Sequence, residues 1–296
     1  VPTDGWAASP AAEWALVRRI AWADGSVARI VDGHLNAVER VAALAPEPLR
    51  TDELAAVAAG RRRMGVWGAD PAPGEGAPAR LVDAGGRLRV DGVKVFCSGA
   101  GGIERALVTV RDPSARSVLA LVDVTRGAEI DRSWFRASGM RTSESHRVVF
   151  DGAPVLAVLG EPGELVREPW FSRDAIRTAA CWAGLADRTA EAALEVLAQR
   201  EPSELDGAAA GRVVGARSAI DVWLEAAGHR AADPSADLAA MSVHLRAAVA
   251  DACRTIVDLG ARAAGARAMA GPGDLDRCRR DLELFLLQHR LEPMVA

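Results

Sequence analysis

The sequence predicts an α+β fold, mainly α, with N-terminal helices, a middle β-domain of barrel or sandwich type, and a C-terminal four-helix bundle. Three observations predict it. Apolar residues recur at helical spacing as far as about residue 63. Between 64 and 166 the period drops to two, with Gly, Pro and Asp at the turns. From 172 onward helical spacing returns in alanine-rich stretches separated by Pro202, Pro234 and Pro272. No internal repeat is visible.

In the first region Trp14, Val17, Ile20 and Ala21 fall on one helical face, followed by Val27, Ile30, Leu35 and Val38. Ala45-Pro46-Glu47-Pro48 interrupts it, and a further helix, Asp52 to Ala59, stops at Gly60. In the β-domain Leu88, Val90, Val93 and Val95 flank Asp91-Gly92, a pair that favours a two-residue turn, so a hairpin is predicted there. Arg105–Val110 and Ser117–Val122 predict two more strands. The bundle helices are predicted over Ser172–Gln199, Ala208–Arg230, Ala236–Ala270 and Asp274–Glu292. On the first of these, Ile176, Ala179, Ala180, Ala183, Ala190, Leu194 and Leu197 form an apolar face with small residues that let helices approach closely. The domains are therefore expected at 1–63, 64–166 and 167–296.

Composition narrows the function. A chain of 296 residues can bury a core in two or three packed units. The net charge of −4 is spread out and Arg61-Arg62-Arg63 is the only basic triplet, so no nucleic-acid partner is expected. No apolar run reaches the roughly 20 residues that span a bilayer, so no membrane association is expected. Cys97, Cys181, Cys253 and Cys278 lack C-x-x-C spacing, which leaves reduced thiols in a cytoplasmic protein and no metal site as the expectation.

Phe96 and Ser98 carry the first chemical signal. Two residues apart on a strand, they are expected on one face, a ring and a hydroxyl side by side. That pairing suits a flat polar heterocycle. The surrounding pattern, Gly92-x-Lys94-x-Phe96-x-Ser98-Gly99-Ala100, is followed by Ser138-Gly139-Met140-Arg141-x-Ser143 and then Val148-x-Phe150-Asp151. It resembles the middle β-domain of the acyl-CoA dehydrogenases. The resemblance runs from about Trp22 to the C-terminus, is strongest in the β-segment, and leaves the N-terminal helical region shortened.

The resemblance implies FAD as cofactor, with Phe96 and Ser98 against the isoalloxazine and Trp67-Gly68-Ala69-Asp70-Pro71 running past it. Ala69 stands where the family usually has Thr, which removes one hydrogen bond, at a net cost of about 1 kcal/mol. Arg200 falls on the family's pyrophosphate-binding position, offered across a subunit interface. It is equally a cation at a helix C-terminus. Ser203-Glu204 replaces the family's Phe-Gly, and Gly265 marks a reduced form of the adenosine-side turn. Arg141, Ser143, Glu144, Ser145 and His146 fall on a segment that in the family lies near flavin and substrate, and Arg141 and Ser143 match its letters. His146 matches nothing and is read as exposed.

The base departs from the family. Its Glu lies eight residues after an Arg-Asp pair. Here Arg280-Asp281 leads to His289, and the run resembles a flavin monooxygenase branch with a His in this neighbourhood. The alternative family position, ten residues before Gly184-Leu185, holds Asp174. Ser172 reads as an N-cap with Asp174 in the first helical turn, which competes with a catalytic role. Three functions remain open. One is an FAD-dependent oxidoreductase acting on the Cα–Cβ bond of an acyl-CoA thioester. The second is a flavin-dependent monooxygenase, and the third a non-catalytic paralogue serving as a partner subunit. A homodimer or homotetramer is expected.

Overall fold

The structure, a computed structural model, describes residues 9–201, 203–270 and 273–288. They form two compact units. The first comprises Ile30–Arg136 and Ser143–Phe171; the second comprises Ser9–Arg29, Ala137–Thr142 and the described residues from Ser172 on.

In chain order the elements are α1 (Pro10–Ala23), α2 (Gly25–Leu44), α3 (Leu49–Ala58), β1 (Met64–Trp67), β2 (Arg80–Asp83), β3 (Leu88–Cys97), β4 (Arg105–Arg111), β5 (Ser117–Asp123), β6 (Ala128–Asp131), β7 (His146–Leu159), α4 (Trp170–Ala198), α5 (Glu204–Arg230), α6 (Ala239–Ala264), α7 (Ala266–Ala270) and α8 (Asp274–Leu286). Short 3-10 turns cover Arg141–Ser143 and Glu164–Val166. The expected fold class is the observed one.

In the first unit the strands close on themselves. β4 pairs with β5, β5 with β7, β7 with β3 and β3 with β2, all antiparallel, and a single bridge from Arg80 to Arg111 returns β2 to β4. β1 adds to β4 in parallel and β6 to β7. Period-two patterning sorts the side chains. Ala106, Val108 and Val110 of β4 and Val118, Ala120 and Val122 of β5 meet Trp67, Val148 and Phe150 in the interior. Their neighbours Leu107, Leu119 and Leu121 turn the other way, onto Ala37, Val38 and Val41 of α2.

The Asp91-Gly92 hairpin does not form. β3 continues through that pair with a register shift between Val90 and Gly92, and the tight connection lies earlier, where Ala84 N–H donates to the Arg87 carbonyl. The Gly92 φ of +110° serves a bulge in a long strand pairing with both β2 and β7. Two-sided pairing outweighs local turn preference.

In the second unit α4 buries Ile176, Ala179, Ala180, Ala183 and Ala190 as its pattern predicts. The helix expected to continue to Ala270 breaks at Gly265, where φ is +77°. Ser203 caps α5 by accepting from the Asp206 N–H, which explains its replacing an apolar residue. Ser172 is not a cap, because α4 starts at Trp170; Ser172 is buried and accepts from the Ser242 hydroxyl at 3.3 Å. The end of the helix predicted to Glu292 lies outside the described residues.

Candidate functional site

Phe96 and Ser98 are displayed by a local break in the strand, not by alternation along it. Pairing between β3 and β7 is interrupted between Lys94 and Cys97, and Phe96 takes a left-handed backbone conformation with φ of +52°. For a bulky residue that is an outlier, and at functional sites such outliers cost about 1–3 kcal/mol each. The result is a ring 54% exposed, while Val95 and Cys97 on either side are buried. A turn follows, in which Ser98 N–H donates to the Phe96 carbonyl at 2.9 Å. From the interior, Trp67 Nε1 donates to the Ser98 carbonyl at 3.0 Å.

Around this turn three hydroxyls form a chain. Ser98 Oγ lies 2.9 Å from Ser145 Oγ, which lies 2.7 Å from Ser143 Oγ. Backbone bonds lock the segment down: Gly99 N–H donates to the Ser143 carbonyl and Ala100 N–H to the Glu144 carbonyl. Glu144 is itself left-handed, with φ of +48°. Two outlying backbones thus face each other across one turn.

Beside the exposed ring stands an aromatic wall. Trp134 meets Phe96 edge-on at 4.9 Å between centroids, and Phe135 does so at 6.5 Å. Trp134 is anchored by its Nε1–H to Glu75 Oε1 at 2.9 Å. Phe135 lies edge-on to His146, again at 6.5 Å. His146 is buried, not exposed, because it shares the inward parity of Val148 and Phe150 on β7. Its Nε2 lies 2.9 Å from Glu144 Oε2, which also receives Arg132. The hydrogen bond from His146, with the Arg132 guanidinium beside it, holds the Glu144 carboxyl below the usual carboxylate range despite partial burial.

The structure therefore brings Phe96, Ser98 and Ser143 together. Trp67 supports the turn from inside, 1% exposed. Gly68 contributes its carbonyl to Lys94 Nζ at 3.2 Å, and Ala69 bridges Val95 in the strand ladder. Trp134 and Phe135 were not singled out from the sequence, and His146, expected to be exposed, is buried. Strand parity was the signal for His146, and an aromatic pair in a polar loop for Trp134 and Phe135.

Other candidates sit elsewhere in the chain's own packing. Arg141 is exposed in its 3-10 turn. Arg200 reaches the last carbonyls of α6, with Nη1 donating to Ala263 at 2.6 Å and Nη2 to Ala264. Gly265 follows at once, so the two expected cofactor residues do meet, but as a cation closing a helix C-terminus. Asp174 Oδ1 receives Nη1 of the fully buried Arg177 at 2.7 Å, and Arg177 Nε donates to Glu13. His289 lies outside the described residues. Among the described residues no His, Cys, Asp and Glu cluster is arranged for a metal, and no helix is long and apolar enough to cross a membrane.

No family model matches the sequence, and no curated protein matches it either. Solved structures do. The FMN-bound dibenzothiophene monooxygenase TdsC from Paenibacillus sp. A11-2 is 21% identical with a TM-score of 0.81, over 97% of this chain and 82% of that one. A nitrososynthase from Micromonospora carbonacea var. africana is 23% identical with a TM-score of 0.80, over 96% and 80%. Butyryl-CoA dehydrogenase from Megasphaera elsdenii is 16% identical with a TM-score of 0.81, over 94% and 78%. The chain has the acyl-CoA dehydrogenase-like fold that these enzymes share.

Proposed function

We propose that this chain is a flavin-dependent oxidoreductase whose flavin ring is held by Phe96 and Ser98. The observation that carries the reading is the outward Phe96 ring, held at a strained backbone beside the Ser98–Ser145–Ser143 hydroxyl chain. An exposed aromatic maintained against its conformational preference is placed for binding, not for packing. The residues present fit a flat heterocycle: Phe96 and Trp134 offer aromatic surface, and the Ser98 hydroxyl in the same turn can donate or accept.

Bound flavin would supply either acceptance of a hydride from a C–H bond or, when reduced, activation of oxygen. The first is the acyl-CoA thioester reading, and it needs a carboxylate over the substrate Cα. Asp174, the described candidate, has its carboxylate paired with Arg177 and is poorly disposed to leave that partner. This favours the monooxygenase reading, for which the likeness to FMN-bound TdsC is the supporting comparison. The pairing of Arg200 with Ala263 and Ala264 likewise removes the simplest argument for FAD over FMN.

Titrating purified protein with FMN and with FAD, following flavin fluorescence, tests the reading. At least one flavin should bind, and Phe96→Ala should weaken it about tenfold, or about 1.4 kcal/mol. Failure of both flavins to bind overturns it and leaves the partner-subunit reading. Anaerobic bleaching by an acyl-CoA would identify a dehydrogenase. Oxygen consumption after external reduction, with acyl-CoAs inert, would identify a monooxygenase.

A further inference from the structure

His146 carries a demand that the protein does not meet. It is 6% exposed, its Nε2 is on Glu144 at 2.9 Å, and Nδ1 has no hydrogen-bond partner among the described residues. A buried ring nitrogen left unpaired is unfavourable. The ring also has little freedom to turn that atom elsewhere. Glu144 is fixed by Arg132 on one side and by its carbonyl's bond to Ala100 N–H on the other. The carboxylate can only accept, so the proton between it and the imidazole belongs to Nε2. In the neutral ring this leaves Nδ1 as a lone-pair acceptor. Phe135, half-buried, lies edge-on to both rings, 6.5 Å from Phe96 and 6.5 Å from the imidazole, and so links His146 to the aromatic wall.

We propose that His146 Nδ1 is a ligand-binding atom of this site, accepting a hydrogen bond from an imide-type N–H of a planar heterocycle bound at Phe96. The inference rests on the flavin reading, since isoalloxazine carries one such N–H, at N3, in its oxidised form. Glu144 and Arg132 act as positioning residues that hold the imidazole with Nδ1 available. This differs from the Phe96 and Ser98 roles, which a ring of any edge chemistry would satisfy.

The test compares FMN with 3-methyl-FMN, which lacks that N–H, on the full chain. Wild type should bind FMN at least tenfold more tightly than the methylated analogue. His146→Asn, which returns an acceptor near the Nδ1 position, should keep part of that preference. His146→Gln places its amide near the Nε2 position, and His146→Phe supplies neither; both should lose the preference while folding normally by circular dichroism. On the wild type, the His146 Nδ1 resonance in nitrogen-15 spectra should shift when FMN is added. Equal binding of the two flavins by wild type, or an unmoved Nδ1 resonance at saturating FMN, overturns the proposal while leaving the flavin reading intact. Absence of binding by either flavin sinks the flavin reading itself, and the inference with it.

Discussion

Asp281 shows how one residue's surroundings set its role. Sequence reading treated Arg280-Asp281 as a landmark for a base eight residues on, yet both side chains fasten the 137–142 segment to α8. Asp281 accepts from the Met140 N–H and Arg280 Nη1 donates to the Ser138 carbonyl at 2.7 Å. Gly139 is required between them, because a Cβ there would lie 2.0 Å from the Arg280 carbonyl oxygen. Burial pushes the Asp281 carboxyl above its ordinary 3.8, against the opposing pull of the Met140 N–H and Arg277. A carboxyl raised in the fold binds its proton more tightly folded than unfolded. Stability from this group is therefore fullest below pH 3.8, is lost as pH rises from there through the raised folded value, and is flat beyond it. Asp281→Asn should remove that slope, measured as the change of urea midpoint with pH in the mildly acidic range. An unchanged slope would show that Asp281 is not the group responsible.

At the scale of elements, Lys94 of β3 organises the loop after β1. Its Nζ, 1% exposed, reaches Asp70 Oδ1 at 2.6 Å, Thr109 Oγ1 at 2.7 Å and the Gly68 carbonyl at 3.2 Å. Desolvation lowers its pKa and the Asp70 carboxylate opposes that shift. Lys94→Met keeps the stem's packing but leaves Gly68 and Thr109 without their cation. A loss of about 2 kcal/mol is expected, from hydrogen bonds to a charged donor, together with faster amide exchange at Val95, whose N–H bonds Ala69. Protection at Val95 equal to wild type would contradict this. The same strand carries the bulge at Phe96, so the element that anchors the loop also exposes the ring.

For the whole molecule, the first unit closes its sheet into a ring, and the second is built on long helices of small residues. α5 leaves Leu205, Val214 and Val222 exposed. We expect this chain to assemble at least as a homodimer. Light scattering at micromolar concentration checks it, and a monomer would refute it.

How much was legible follows the range of each interaction. The sequence by itself determined the element order and the two switches of period, because apolar spacing reports directly which face a helix or strand must bury. It also pointed to Phe96, Ser98 and Ser143, through the resemblance of the motif around them to the acyl-CoA dehydrogenase β-domain. Only the tertiary structure decided what surrounds them. Asp91-Gly92 fails as a turn because β2 and β7 both pair across it. Arg200 closes α6, and Arg177, three residues from Asp174, also donates to Glu13, 164 residues away. Partners brought together by folding leave no mark in local spacing, so the roles of polar residues were settled by distance in space.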